Sequence, residues 1–315
     1  MEKIFTYRIT TERSVKELIE LRFKYILERT QLSLDQFIRS RLKRNNIALQ
    51  PNDILYPNDS LDYIHLQSDE KDMPFSLEIR YEDEYIIAIE KPDFMPVVPR
   101  TSHYFNSVAY RIWDHFKTDE YTPLHRLDIE TTGILLIAKK KKYTSAFHKL
   151  FQKKEIYKTY RAFVYGTFPK SVQTISGTIE KDTSSSIFSK YKLIQDHSEH
   201  SLTQITNVLH LNGFSDVTLA PITGKTNQLR IHLAAVGHSI IGDKKYYTDE
   251  TIYLDWLNTK NDHLNQMILP SQALHATSVE FIHPFSGKQV FISSENQQLE
   301  QTKHTLMSFF NQQGN

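Results

Sequence analysis

The chain has 315 residues, of which 39% are hydrophobic, 12% aromatic and 24% charged. That is the mixture of a folded protein, and its length sets an expectation of two domains of unequal size. With no cysteine, disulfides, Cys-ligated zinc, iron–sulfur clusters and thiol nucleophiles are excluded, while a net charge of +1 says nothing about partners.

Residues 1–13 alternate weakly, as a strand with Phe5, Tyr7 and Ile9 on one face. From Ser14 the pattern turns helical: Val15, Leu18 and Ile19 recur at helical spacing, followed by Phe23, Ile26 and Leu27. A second helix is predicted over residues 33–43, capped by Ser33, with Leu34, Phe37, Ile38 and Leu42 in one stripe. Turn signals at Pro51-Asn52-Asp53 and Pro57-Asn58-Asp59 complete a small module over residues 1–66. The acidic residues 67–77 read as a linker, leaving residues 78–315 as the larger domain.

In that domain, residues 85–89 form a short apolar run that stops at Lys91-Pro92. Residues 133–138 read as a buried strand, and Tyr143, Ala146, Phe147, Leu150 and Phe151 then follow at helical spacing. Residues 158–165 and 214–220 alternate. The Ser/Thr-rich residues 174–191 predict a hairpin with an exposed turn at Ser184-Ser185-Ser186. Residues 227–236 read as a helix ended by Gly237. From Ser294 a terminal helix is predicted, with Leu299, Lys303, Leu306, Met307 and Phe310 at helical spacing. No window reaches the ~18 apolar residues of a membrane span, and the first residues carry no apolar leader. The expectation is a soluble, cytoplasmic protein.

Charge is segregated. Residues 22–44 hold seven basic residues against two acidic, residues 139–161 nine against one, and residues 69–84 seven acidic against two basic. Such patches suit a polyanion, although Lys139-Lys140-Lys141-Lys142 fits a solvated helix start equally well. Two clusters have chemical capacity. His125-Arg126-Leu127-Asp128 leads through Thr131-Thr132-Gly133 into the buried strand, so its polar groups are held by a rigid element; a structural Arg–Asp pair fits the same letters. Residues 223–230, TGKTNQLR, form a Gly-containing loop opening a helix, a plausible seat for phosphate, but without the spacing of a nucleotide-hydrolysing loop. The histidines in strand and helix patterns, His232, His238, His275 and His283, read as hydrogen-bonded structural groups, and no metal site is predicted.

Together these segments resemble the RluA-type RNA pseudouridine synthases. HRLDIETTGILLIAK (residues 125–139) resembles the family's HRLD signature and its following strand. YEDEYIIAIEKP (81–92) resembles the opening strand and Lys-Pro turn, KTYRAFVYG (158–166) the Lys-x-Tyr strand, TGKTNQLRIHLAAVGHSIIGD (223–243) the Gly-Arg-Thr-His-Gln-x-Arg helix, and LHATSVEFIHPFSG (274–287) the closing strand. The five occur in the family's order across residues 78–292. The amino-terminal module is similar to an S4-type RNA-binding domain, with Asn45-Asn46-Ile47-Ala48-Leu49-Gln50 in place of the usual Gly-Val-x-Val-Asn-Gly.

The resemblance implies an α+β protein: a catalytic domain on a mixed, mostly antiparallel sheet flanked by helices, preceded by a small S4-like α/β module. It implies isomerisation of uridine to pseudouridine in ribosomal or transfer RNA, with no cofactor; no obligate protein partner is inferred, and a monomer is the default expectation. Asp128 matches the essential carboxylate, acting on C1′ or on the 2′ side of the ribose. Arg230 matches its cationic partner. Tyr160 matches the tyrosine that stacks on uracil and can assist proton removal at C5. Arg126 matches the arginine that takes the place of the extruded base. His125, Lys139, Lys158, Lys225, Asn227 and Gln228 are the further expected RNA contacts. Lys225 and Asn227 stand where the family usually has arginine and histidine, and Phe94 and Val98 where it has glycine and histidine. These departures leave open an RNA-binding or ribosome-assembly factor on the same fold without turnover. A glycoside hydrolase needs a second carboxyl near Asp128, for which Glu130 is closest in sequence.

Overall fold

The computed structural model describes residues 1–196, 198–247, 249–259, 267–294 and 297–313. The chain forms two compact units, Met1–Phe75 with Val98–Asp114, and Ser76–Val97 with His115–Asn315.

In the first unit, the strands Glu2–Arg8, Ser60–Leu66, Leu42–Arg44 and Ile47–Ala48 lie side by side in that order. Helices Val15–Arg22, Lys24–Thr30 and Leu34–Arg41 bury Val15, Ile19, Phe23, Ile38 and Phe37 around Tyr63. Ser14 and Ser33 each close a reciprocal capping box, with Glu17 and Gln36, which is why these helices start where the sequence indicates. Two differences from the predicted elements have local causes. The first helix is interrupted at Phe23, and the second stops at Arg41 because Leu42 turns extended to pair with Tyr63.

The larger difference concerns the expected acidic linker, whose residues up to Phe75 belong to this unit. Asp69 is buried and accepts from Arg41 Nη2 at 2.9 Å and from the Leu66 N–H at 2.8 Å. Glu70 is buried too, accepting from the backbone N–H groups of Phe105 (2.9 Å) and Asn106 (2.8 Å) and sharing a 2.7 Å hydrogen bond with His65 Nε2. A carboxylate with this many donors is stable away from water, so Asp69 and Glu70 are packed structure, while residues 71–77 are exposed or half-buried.

The second unit is built on an 11-stranded sheet. Its strands run in the order Tyr191–Ile194, Thr174–Lys181, Ser201–His210, Phe214–Pro221, Ile156–Tyr165, Leu274–Ile282, Thr132–Ala138, Ile86–Lys91 and Ile79–Glu82, with Gln289–Ser293 and Thr122–Pro123 attached beside them. One pairing is parallel, between Thr132–Ala138 and Leu274–Ile282, and the other named pairings are antiparallel. This is the mixed, mostly antiparallel α+β architecture the resemblance implies.

Thr132–Ala138 is buried from Gly133 to Ala138, which explains its unbroken apolar run. At its start the strands come unusually close. Gly133 has φ +106°, and a Cβ there would lie 2.3 Å from the Ala276 carbonyl oxygen, so only glycine fits. Helices Thr144–Gln152, Gln228–Ala235, Glu250–Thr259 and Gln297–Gln313 complete the unit. The last buries Leu299 and Leu306 and stacks Phe310 on Phe214; residues 295–296 and 314–315 of the predicted terminal segment lie outside the described residues.

Candidate active site

The loop carrying Asp128 is pinned before the side chain is considered. The Thr131 N–H donates to the Asp128 carbonyl at 3.1 Å, and the Leu124 N–H to the Leu136 carbonyl at 2.8 Å. His125 Nε2 accepts from the Leu136 N–H at 3.1 Å, and burial drives its imidazole down to about 3, so it is a neutral acceptor. Beneath the loop lies Lys91, wholly buried at the end of Ile86–Lys91, whose ammonium donates to the carbonyls of Ile129 (2.9 Å) and Pro92 (2.6 Å). Burial lowers it to about 7, against the opposing pull of Asp93, Asp128 and Glu130.

Arg230 comes from the first turn of Gln228–Ala235 and meets two carboxylates. Its Nη1 donates to Asp128 Oδ2 at 2.9 Å, and its Nε and Nη2 form a fork on Asp243 at 2.7 and 2.8 Å. Asp243 Oδ1 also accepts from the backbone N–H groups of Lys245 (3.0 Å) and Tyr246 (3.1 Å). Burial opposes its ionisation, but Arg230 and these donors hold Asp243 below the usual carboxylate range. The same burial opposes the charge on Arg230, and the two carboxylates outweigh it. The partners differ in access: Asp243 is 0% exposed and Asp128 30%. Asp243 therefore fixes the guanidinium, and Asp128 is the carboxylate that a substrate can reach.

Asn227, just before this helix, has φ +56° and caps no helix N–H. Its amide has two orientations: in one, Nδ2 donates to the Tyr246 hydroxyl (3.2 Å) and the oxygen is set against Asp128; in the other, which pairs every donor with an acceptor and is the one assigned, Nδ2 faces Asp128 Oδ1 (3.1 Å) and Oδ2 (3.2 Å) and the carbonyl oxygen faces the Tyr246 hydroxyl (3.2 Å). The ring of Tyr246 also lies under the Arg230 guanidinium, 5.1 Å from its carbon. Tyr160 is buried on Ile156–Tyr165, paired with Leu219 and Ala276. Burial and the charge of Asp128 raise its phenol well above the ordinary value. The phenol therefore stays protonated, a hydrogen-bond donor rather than a phenolate base.

The other expected site residues divide. Arg126 and Lys225 are exposed. Lys158 is half-buried, 5.9 Å from the Phe151 ring, and no carboxylate pairs with it among the described residues. Lys139 is tied to Glu82 at 2.6 Å. Two of the expected RNA contacts have internal hydrogen-bond partners. Gln228 is buried, with its oxygen accepting from the Lys225 N–H (3.0 Å) and Thr223 Oγ1 (2.7 Å) and its nitrogen donating to the Leu202 carbonyl (3.0 Å) and Thr203 Oγ1 (3.1 Å). Its oxygen thus accepts twice and its nitrogen donates twice within the protein. His125, as above, supports a strand. Glu130 is committed to Lys244 at 2.9 Å and the Gln272 N–H at 3.3 Å, so it is not poised as a second reacting carboxyl.

The histidines read as structural are hydrogen-bonded. His232 meets Ser201 Oγ at 2.9 Å, His275 meets Thr132 Oγ1 at 2.7 Å and Ser294 Oγ at 2.9 Å, and His238 Nδ1 donates to the Tyr165 carbonyl at 2.8 Å. Among the described residues no group of three or more His, Asp or Glu is arranged to hold a metal ion. Sequence reasoning missed Asp243, Tyr246 and Lys91 as parts of the site. The first two follow the helix in a short Gly-Asp-x-x-Tyr stretch, and Lys91 precedes a proline; only their tertiary partners give them meaning.

Residues 85–235 match the family model described as RNA pseudouridylate synthase. The dual-specificity RNA pseudouridine synthase RluA of Vibrio cholerae is 32% identical over 212 residues, 67% of this chain and 79% of that one. Ribosomal large subunit pseudouridine synthase C of Buchnera aphidicola subsp. Baizongia pistaciae is 30% identical over 225 residues, 70% of this chain and 67% of that one. Among solved structures, human RNA pseudouridylate synthase domain containing 1 superposes with a TM-score of 0.55 at 23% identity over 71% of this chain and 86% of that one, a likeness of fold. The matched sequence, the sheet and the order of the segments agree: the chain belongs to the RluA-type family of RNA pseudouridine synthases.

Proposed function

We propose that this synthase isomerises uridines in ribosomal RNA, where ribosomes assemble in the cytoplasm, and that Asp128 is the carboxylate that reacts. One observation carries the reading: the accessible Asp128 is bound to a guanidinium that a second, wholly buried carboxylate holds still. Preorganisation of this kind is what a reaction without redox change needs from its protein. Asp128 acts on C1′ or takes a proton from the 2′ side of the ribose. The N1–C1′ bond breaks, the uracil turns in place, C5 bonds to C1′, and the C5 proton leaves while N1 gains one. Tyr160, kept protonated, stacks on the ring and donates a hydrogen bond.

A uridine within a stem must leave the stack first, at a cost of a few kcal/mol, roughly, which Arg126 offsets by occupying its place. Lys158 and Lys225 face the RNA backbone. The first unit adds a second basic surface, through the exposed Arg22, Lys24, Arg39 and Lys43, in the S4-like role the sequence suggests. Tritium release from RNA labelled at uridine C5, combined with pseudouridine mapping in a deletion strain, tests the proposal. Complementation with the wild type restores the missing sites and Asp128→Asn does not. Restoration by the Asn form overturns the role of Asp128; no release from any ribosomal RNA overturns the substrate.

A further inference from the structure

We propose that Asn227 and Tyr246 are a positioning pair for the Asp128 carboxylate: the Asn227 amide donates to both Asp128 oxygens and sets the plane of the carboxylate, and the Tyr246 hydroxyl, donating to the Asn227 carbonyl oxygen, holds that amide in place. The inference rests on the reading of Asp128 as the reacting group and adds two residues to it.

Asn227 occupies the position before Gln228–Ala235, where an asparagine side chain ordinarily accepts from a free helix N–H. It makes no such bond. Its backbone is instead left-handed, at φ +56° and ψ +20°, a conformation asparagine tolerates better than most residues. The amide of Asn227 thereby reaches both Asp128 oxygens, at 3.1 and 3.2 Å. With Arg230 Nη1 on Oδ2 at 2.9 Å, the carboxylate receives donors from two directions and cannot rotate freely.

An amide alone is an ambiguous clamp. Turned by half a rotation, it presents its carbonyl oxygen to the carboxylate and repels it. The ionised Asp128 removes the ambiguity, because a carboxylate only accepts; the Tyr246 hydroxyl, which can accept from the amide nitrogen or donate to the amide oxygen at the same 3.2 Å, then donates to the Asn227 carbonyl oxygen. Tyr246 is 5% exposed, and burial raises its phenol, so the proton stays in place. The ring is held independently by its contact with Arg230, and the Tyr246 N–H is fixed on Asp243. A single loop, residues 243–246, thus steadies Asp128 by two routes: through Arg230 from Asp243, and through Asn227 from Tyr246.

Asn227→Asp is the sharpest perturbation, since aspartate keeps the shape and the tolerance of the left-handed backbone but replaces the donor with an acceptor. Removing a hydrogen bond to a charged group lowers the single-turnover rate on [5-³H]uridine-labelled large-subunit ribosomal RNA about 10- to 100-fold, with the RNA dissociation constant within twofold of wild type. Tyr246→Phe, which keeps the ring, lowers the rate less, and adds nothing in the Asn227→Asp background. A wild-type rate in Asn227→Asp, a loss confined to RNA affinity, or effects that multiply in the double variant would each overturn the pair. The Asn227 side-chain amide resonances test it without turnover. They shift and exchange faster with water in both Asp128→Asn and Tyr246→Phe if the pair exists; resonances unmoved in both variants refute it, even if the enzyme acts on another RNA.

Discussion

Replacing Asp243 with asparagine tests whether the site depends on a buried carboxylate that never touches substrate. The side chain is 0% exposed and receives four hydrogen bonds, two from Arg230 and two from backbone N–H groups. The Asn amide can accept on one side only, and its NH2 group meets donors on the other. Breaking a buried pair by altering one partner costs about 3–5 kcal/mol. The lower end applies, about 3 kcal/mol, because Arg230 keeps Asp128. At about 2–4 °C per kcal/mol for a unit of this size, that is a fall in Tm of roughly 6–12 °C. The freed guanidinium also turns its fork toward Asp128, so pseudouridine formation falls more than stability alone predicts. Linkage gives the sign with pH. The folded-state carboxyl of Asp243 is depressed, so its contribution is full above the unfolded value of about 3.9 and fades as pH falls below it. The gap in Tm between wild type and Asp243→Asn, measured by scanning calorimetry, therefore narrows below about pH 4. An Asn variant that melts within 2 °C, roughly, of wild type at pH 7 and turns over normally would refute the reasoning.

The remaining predictions are briefer. Lys91 is lowered to about 7 in the folded chain against about 10.4 when unfolded, so the unfolded state binds the extra proton between those values and stability rises with pH there; Lys91→Met removes that rise, which thermal melts from pH 7 to 10 read directly. Gly133→Ala forces a Cβ to 2.3 Å from the Ala276 carbonyl and is expected to lower stability by more than about 3 kcal/mol, giving little soluble protein. If Lys158 faces an RNA phosphate as proposed, Lys158→Met lowers the slope of log K against log salt for RNA binding by about 0.7–0.9; an unchanged slope counts against that contact.

How much of this was legible beforehand follows from the range of the interactions. The helical spacing from Ser14, the cap at Ser33 and the apolar run 133–138 are local signals, and each announced its element because its cause lies within a few residues. The helices Val108–Phe116 and Glu250–Thr259 went unpredicted. Asp69 and Glu70 looked like solvated chain because charge is the local signal, whereas the N–H groups that bury Glu70 lie 35 and 36 residues away. Gln228 looked like an RNA contact for the same reason: a polar letter in a motif does not say which way it faces.

The amino-acid order alone carried the reaction class, through HRLD, the Lys-x-Tyr strand and the Arg230 helix, since those segments are short and each is shaped by its own loop or strand. Only the folded chain decided which carboxylate is open and which is locked. Asp128 and Arg230 are 102 residues apart, and the roles of Asp243, Asn227 and Tyr246 exist only once burial has removed the competing water and set these groups against one another.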